Sequence, residues 1–206
     1  MLRFWFGVAP GRSGTPLAPF AWWFDASPQI DARIAERFGG TLADAAAGRL
    51  LAWEAGARSS LALVLVLDQF PRHIDRGTPR AFANDEAALA VARRAVAAGH
   101  LQRLAPLEQL FALMPFQHAE DLAVQDECLC RWEDLTEPAC AEELAVLAPF
   151  LARAREHRAL IARFGRFPHR NAILGRASSE SELAYLEEEP STFGQEPRKA
   201  SDRSPG

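Results

Sequence analysis

Lysine is almost missing from this chain: Lys199 is the single one among 23 basic residues in a sequence of 206. Arginine carries the remaining positive charge, but an alanine-rich, lysine-poor composition also follows from GC-rich coding, so the arginine count alone argues nothing. Cysteine is scarce too. Three cysteines, an odd number, make no disulfide framework and predict a reducing compartment. Cys128 and Cys130 stand two positions apart, about 200° around a helix axis, so their thiols face different ways and do not share a metal. Long apolar runs are absent as well: Leu61 to Leu67 falls far short of the roughly 20 residues that a membrane span requires. Met1 to Val8 is aromatic but broken by Gly7, Pro10 and Gly11, without the sustained apolar core of a signal peptide. The net charge of -4 gives no overall basic face for nucleic acid. Together these absences predict a cytoplasmic protein that contacts neither nucleic acid nor membrane.

What is abundant is apolar surface, 49% of residues, enough for one substantial core. Strand signals are nearly missing, whereas helix starts and stops recur, so the chain reads as all-α. Ser27-Pro28 opens a helix with Ile30, Ile34 and Phe38 at helical spacing, and Gly39-Gly40 is the expected stop. Thr41 with Asp44 predicts a short helix to Gly48. The run Leu61 to Phe70, apolar on every side, predicts a buried helix, with a buried strand as the alternative. Thr78-Pro79 and Asn84-Asp85 are start signals for a helix to Ala98, with Gly99 as its left-handed stop. Further helices are expected from Pro106 to Pro115, Ala119 to Leu135, and Pro138 to Phe164, the last kinked at Pro149 and ended by Gly165. Ser179 and Glu182 form a capping box for a last short helix. Residues 1–187 read as one helical domain. From 188 to 206 the hydrophobic content disappears except for Phe193, and a flexible tail is expected.

Two polar clusters stand out against this background. Leu67-Asp68-Gln69-Phe70-Pro71-Arg72 closes the buried run with a carboxylate that needs a cation, especially at the negative end of a helix. Arg72, Arg166 and Arg170 are equally good candidates, since Pro71 is expected to redirect the chain. The second cluster, Arg163 to Asn171, is a rigid cationic corner containing Arg166, Pro168, His169, Arg170 and Asn171. Its arginines suit bidentate binding of a phosphate or carboxylate. His169 lies in their positive field, so an anion or developing oxyanion is a more natural guest than a metal cation. Between the two, His118, Asp121 and Gln125 fall at i, i+3 and i+7, the spacing of one helix face. His118 then acts as a general base oriented by a carboxylate, shares a metal with Asp121, or merely caps the helix. His157 alone reads as a satisfied interhelical histidine.

These clusters, Leu67 to Arg72, His118-Ala119-Glu120-Asp121 with Gln125, and His157-Arg158 followed by Phe164 to Asn171 and Leu174-Gly175-Arg176, resemble the uncharacterised bacterial family called domain of unknown function 924. Phe4-Trp5-Phe6-Gly7, Trp23-Phe24 through Asp31, and Arg37-Phe38 match its opening pattern. The resemblance implies an all-helical, tetratricopeptide-like array and brings no established activity. The chain departs from the family pattern at His73, where asparagine is commoner, and at Ala119, where serine is commoner, which argues against a nucleophilic role at the latter position.

The reading that results is a polar pocket for a small anionic metabolite, which the protein binds and transforms. His118 or His169 handles a proton, Asp68 or Asp121 orients the histidine, and Arg72, Arg166, Arg170, Asn171, Gln69 and Gln125 bind the ligand. No cofactor and no resident metal are expected. The alternative is a non-enzymatic helical module that accepts a peptide or protein, with the polar clusters serving as scaffold.

Overall fold

The structure, a computed structural model, describes residues 1–7, 23, 27–188 and 194–195. It is all-α: among the described residues no strand occurs, and no helix is long and apolar enough to cross a membrane. The helices are α1 (Leu2–Phe6), α2 (Pro28–Ala46), α3 (Ala57–Val64), α4 (Phe70–Ile74), α5 (Asp85–Ala97), α6 (Pro106–Gln117), α7 (Leu122–Thr136), α8 (Ala141–Phe164), α9 (Asn171–Leu174) and α10 (Glu180–Glu188).

Helix α6 is buried almost along its whole length, from Leu107 to Gln117. It contacts α3, α5, α7 and α8. An aromatic cluster closes the other side of the core: Trp5 packs on Phe70 at 5.6 Å and on Phe111 at 5.6 Å, and Phe38 stacks on Phe70 at 4.9 Å. Trp23 Nε1 donates to the Trp5 carbonyl at 3.0 Å.

Several expected stops are overridden. Helix α2 runs through Gly39-Gly40 because Ile34, Phe38, Leu42 and Ala45 form one buried face across the glycines. Each glycine costs only about 1 kcal/mol in a helix, less than burying that face returns. Helix α6 likewise runs two residues past Pro115 to Gln117. Helix α7 starts later than expected, at Leu122, with Asp121 as its N-cap. The glycine stops at Gly99 and Gly165 take the left-handed φ values of 67° and 69° that suit glycine alone. The Ser179–Glu182 capping box forms as predicted, with Ser179 N donating to Glu182 Oε2 at 2.7 Å.

The largest difference lies at Asp68. The buried run does not end at Phe70; α3, a π-helical turn at Leu65–Gln69 and α4 join into one continuous helical rod from Ala57 to Ile74. Pro71 does not redirect the chain because it occupies the first turn of α4, where its missing N–H is tolerated. Asp68 therefore sits inside a rod, not at a helix C-terminus.

Of the segment beyond 188, Gly194 and Gln195 are described. Arg76 Nη1 donates to the Gly194 carbonyl, Gly77 N to Gln195 Oε1 at 3.2 Å, and Gln195 Nε2 to the Arg72 carbonyl at 2.8 Å. Phe193 lies outside the described residues.

Candidate functional site

A π turn inserts one extra residue into a helix and breaks the regular ladder, a device that recurs at functional sites. Here it spans Asp68 and Gln69, both buried. Arg72 fills the local deficit: its Nη1 donates to the Asp68 carbonyl and lies 3.4 Å from Asp68 Oδ1. The cation that meets Asp68 is thus the sequence-near one.

The carboxylate is held further by its chain neighbour and by a residue from across the fold. Gln69 Nε2 donates to Asp68 Oδ2 at 2.6 Å, and Asp68 Oδ1 lies 2.7 Å from His118 Nδ1. His118 is the C-cap of α6 and stands in the short connection to α7. Gln125, fully buried, fixes that connection by donating from Nε2 to the carbonyls of Gln117 at 2.6 Å and Ala119 at 2.8 Å.

The second cluster arrives through Arg170. Its Nη2 donates to the His118 carbonyl at 3.2 Å and its Nη1 to Asp85 Oδ2 at 3.1 Å. Arg72 Nη2 donates to the same Asp85 oxygen at 3.0 Å. The Arg170 guanidinium lies between the rings of Phe82 and Phe167, 4.5 and 4.6 Å from their centroids. Its Nε is buried without a hydrogen-bond partner among the described residues. His118, Asp68 and Arg170 are therefore one contiguous constellation.

Its protonation follows from the opposing effects of burial and neighbouring charge. Burial opposes charge on Asp68, but the positive charges of Arg72 and the His118 N–H contact hold its carboxyl well below the usual carboxylate range. Burial first, then Arg72, pushes His118 down, and the pull of Asp68 only partly offsets them. At neutral pH the pair is consequently a carboxylate facing a neutral imidazole. An ionised carboxylate only accepts, so Nδ1 carries the ring proton and Nε2 the lone pair. His169 is pushed down to about 3 by burial and by Arg170, Arg176 and Arg72. His157 is also held well below its ordinary value, by burial first and then by His118. Burial brings Arg170 itself down to about 10, with Arg72 adding to the effect against the counter-charge of Asp85.

Of the residues expected to share a site, the structure brings together Asp68, Gln69, Arg72, His118 and Arg170, with His169 within their field. It does not bring four others. Asp121 caps α7, accepting from Val124 N at 3.1 Å, so Asp68 holds the place beside His118 that the sequence offered to either carboxylate. Arg166 is paired with Glu182 at 2.6 and 2.7 Å. Asn171 bridges Ser178 and Arg176 at 3.1 and 3.0 Å, and Gln125 holds backbone. Because α7 begins after Asp121, the expected common helix face of His118, Asp121 and Gln125 does not exist.

Sequence reasoning overlooked Asp85, Glu120 and Arg176. Asp85 was legible only as part of the Asn84-Asp85 helix-start signal. Glu120 accepts from Phe167 N at 2.8 Å and from Arg176 at 2.6 and 3.0 Å, which locks the arginine corner against the His118 connection. Among the described residues, no group of three or more His, Cys, Asp or Glu is arranged to hold a metal ion.

The chain belongs to the bacterial family of proteins of unknown function DUF924, whose pattern matches residues 1–190. It is similar to a solved structure of a protein of unknown function from Agrobacterium tumefaciens, with 41% sequence identity, a TM-score of 0.72, and coverage of 81% of this chain and 89% of that one. No curated protein matches the chain.

Proposed function

We propose that this protein binds a small anionic molecule at the Asp68–His118–Arg170 constellation and that His118 transfers a proton on it. The observation that carries this reading is the 2.7 Å contact between Asp68 and His118 Nδ1. A neutral imidazole oriented by a buried carboxylate presents a proton acceptor of defined direction at Nε2. Arg72 and Arg170 surround it with positive potential, which attracts an anion and stabilises negative charge that develops during proton transfer. The Arg170 Nε–H, buried without a partner among the described residues, is a donor in want of an acceptor, and an anionic oxygen satisfies it. Asp68 orients, His118 exchanges the proton, and the two arginines attract. We place this activity in the cytoplasm, in keeping with the free thiols of Cys128, Cys130 and Cys140.

A second reading has its own support. Arg72 and Arg170 are both paired with carboxylates, and such a balanced network also serves to fix helix order in a non-enzymatic, peptide-binding module. A thermal-shift panel of phosphate esters and small carboxylates separates the two. Binding at 100 times Kd adds about 2.7 kcal/mol to native stability, a rise on the order of 5 to 10 °C for a chain of this size. Arg170→Lys keeps the charge and loses the planar fork, so it should weaken that rise more than it lowers the unliganded melting point. If no compound moves the wild type while Arg170→Lys alone lowers its melting point sharply, the network is scaffold.

A further inference from the structure

Helix α4 ends at Ile74, and the carbonyls of a last helical turn lack partners within the helix itself. The Pro71 carbonyl accepts from Asp75 N, just past the end, at 2.9 Å. The Arg72 carbonyl has a partner far away in sequence: Gln195 Nε2 donates to it at 2.8 Å across 123 positions. Gly77, beyond the helix end, has the left-handed φ of 71°. A glycine in that conformation ordinarily turns its N–H back to a carbonyl of the last turn, but Gly77 N donates to Gln195 Oε1 at 3.2 Å. The buried Gln195 carboxamide thus bridges the end of the rod, accepting on one side and donating on the other.

The chemistry of that bridge is selective. Gly77 N–H only donates and the Arg72 carbonyl only accepts, so the occupant must present an acceptor and a donor on one edge. A primary carboxamide does so. A carboxylate of the same shape offers two acceptors and sets one of them against the Arg72 carbonyl. Arg76 holds the preceding residue: its Nε and Nη2 donate to Asp31 of α2 at 2.8 and 3.1 Å, while Nη1 donates to the Gly194 carbonyl. Gly194 and Gln195 are therefore fastened to the end of the rod directly and to α2 through Arg76.

Arg72 is the residue that this fastening shares with the candidate site. Gln195 holds its carbonyl, while its Nη1 donates to the Asp68 carbonyl and its Nη2 to Asp85 Oδ2 at 3.0 Å. An uncapped last turn frays, and fraying here displaces the residue whose guanidinium attracts the anion. A docked Gln195 fixes that residue in advance, so less ordering is left for the anion to impose.

We propose that Gly194 and Gln195 form a carboxamide clasp that regulates the anion site by capping the rod at Arg72. The inference rests on the anion-binding reading given above and adds its control. With the clasp docked the site binds an anion more tightly, and whatever draws Gln195 away weakens binding. By reciprocity, a bound anion tightens the clasp by the same factor.

The test uses the full-length, 15N-labelled protein at pH 7 as wild type, Gln195→Ala and Gln195→Glu. The Gly77 amide resonance reports the clasp, and the Arg170 Nε–H resonance reports anion binding during titrations with inorganic phosphate and, separately, with acetate. Both substitutions are expected to shift the Gly77 amide and to raise the half-saturating anion concentration by about fivefold or more. Gln195→Ala is decisive for that rise, because Gln195→Glu also brings in a negative charge. A Gly77 amide unmoved by either substitution overturns the clasp. A shifted Gly77 amide with the same half-saturation in wild type and Gln195→Ala overturns its control of the site. If neither anion moves the wild-type Arg170 Nε–H, the anion-binding reading itself falls and the regulatory inference falls with it, whereas the Gly77 amide still shows whether the clasp docks. The two failures are thereby told apart.

Discussion

Arg72 and Arg170 donate to one and the same oxygen of Asp85, Oδ2, at 3.0 and 3.1 Å, although 98 positions separate the arginines in sequence. That oxygen is the hinge between the rod Ala57–Ile74 and the corner at Arg170. Asp85→Asn preserves the side chain's shape but takes the paired carboxylate from Arg170 and leaves Arg72 with Asp68 alone. A loss of about 3 kcal/mol in urea-unfolding free energy is expected, the cost of breaking a buried pair from one side. A loss below about 1 kcal/mol would mean that water already screens this pair.

The buried histidines make stability depend on mild acid. His169 titrates near 3 in the folded chain against 6.5 in the unfolded chain. Between those values the unfolded state binds more protons, so stability is complete above pH 6.5 and declines as pH falls towards 3. At about 1.4 kcal/mol per pH unit, His169 alone removes about 2 kcal/mol between pH 6.5 and 5. His118 and His157 act in the same direction. Asp68, by contrast, has its folded value depressed, so its contribution persists above the ordinary carboxylate range and is lost only as pH drops below it. Urea titrations at pH 7, 6 and 5 should show this decline, and His169→Gln should flatten it. Equal stability at pH 7 and 5 would contradict buried neutral histidines.

Local chemistry was legible wherever one residue decides it. Ser27-Pro28, Gly99, Gly165 and the Ser179–Glu182 box are start and stop signals that act within one turn, and the structure uses each of them. Gly39-Gly40 and Pro115 misled because their cost of about 1 to 3 kcal/mol is smaller than the burial gained by continuing a packed face. Asp68 was recognisable as a carboxylate in apolar surroundings that required a cation, and the Arg170 corner as a cluster of cations; His118 was left as a general base, a metal ligand or a helix cap. Which partner each one takes depends on where α7 begins and on the π turn under Asp68, and neither is written in local spacing. Asp85 escaped notice because a carboxylate at the start of a helix is common, and its second role exists only once Arg170, in the turn before α9, reaches it.

Asp121 supplies an internal control for the site. Its carboxylate caps α7 and points at Val124 N, so Asp121→Ala should cost about 1 kcal/mol, the usual value of a lost N-cap. The anion-dependent rise in melting temperature should be unchanged, and His118 should keep its Nδ1 proton. A loss of ligand response beyond the loss of stability would bring Asp121 into the binding machinery.

Asp68→Asn separates binding from proton transfer. The amide can turn its Nδ2–H towards His118 Nδ1, which reverses the direction of the hydrogen bond and favours the tautomer with its proton at Nε2. His118 then presents a donor where the wild type presents an acceptor, so it can no longer take the proton. Arg170 is anchored to Asp85 and to the His118 carbonyl, not to the Asp68 side chain, so the site for an anion remains in place. The variant should therefore retain at least half of the wild-type thermal response to whichever phosphate ester or carboxylate binds, while nitrogen spectra show the His118 proton moved from Nδ1 to Nε2. Turnover of a bound compound should fall by two or more orders of magnitude, with the loss in kcat and not in KM. A variant that keeps the Nδ1 proton and full turnover would show that Asp68 only balances Arg72 and does not orient His118.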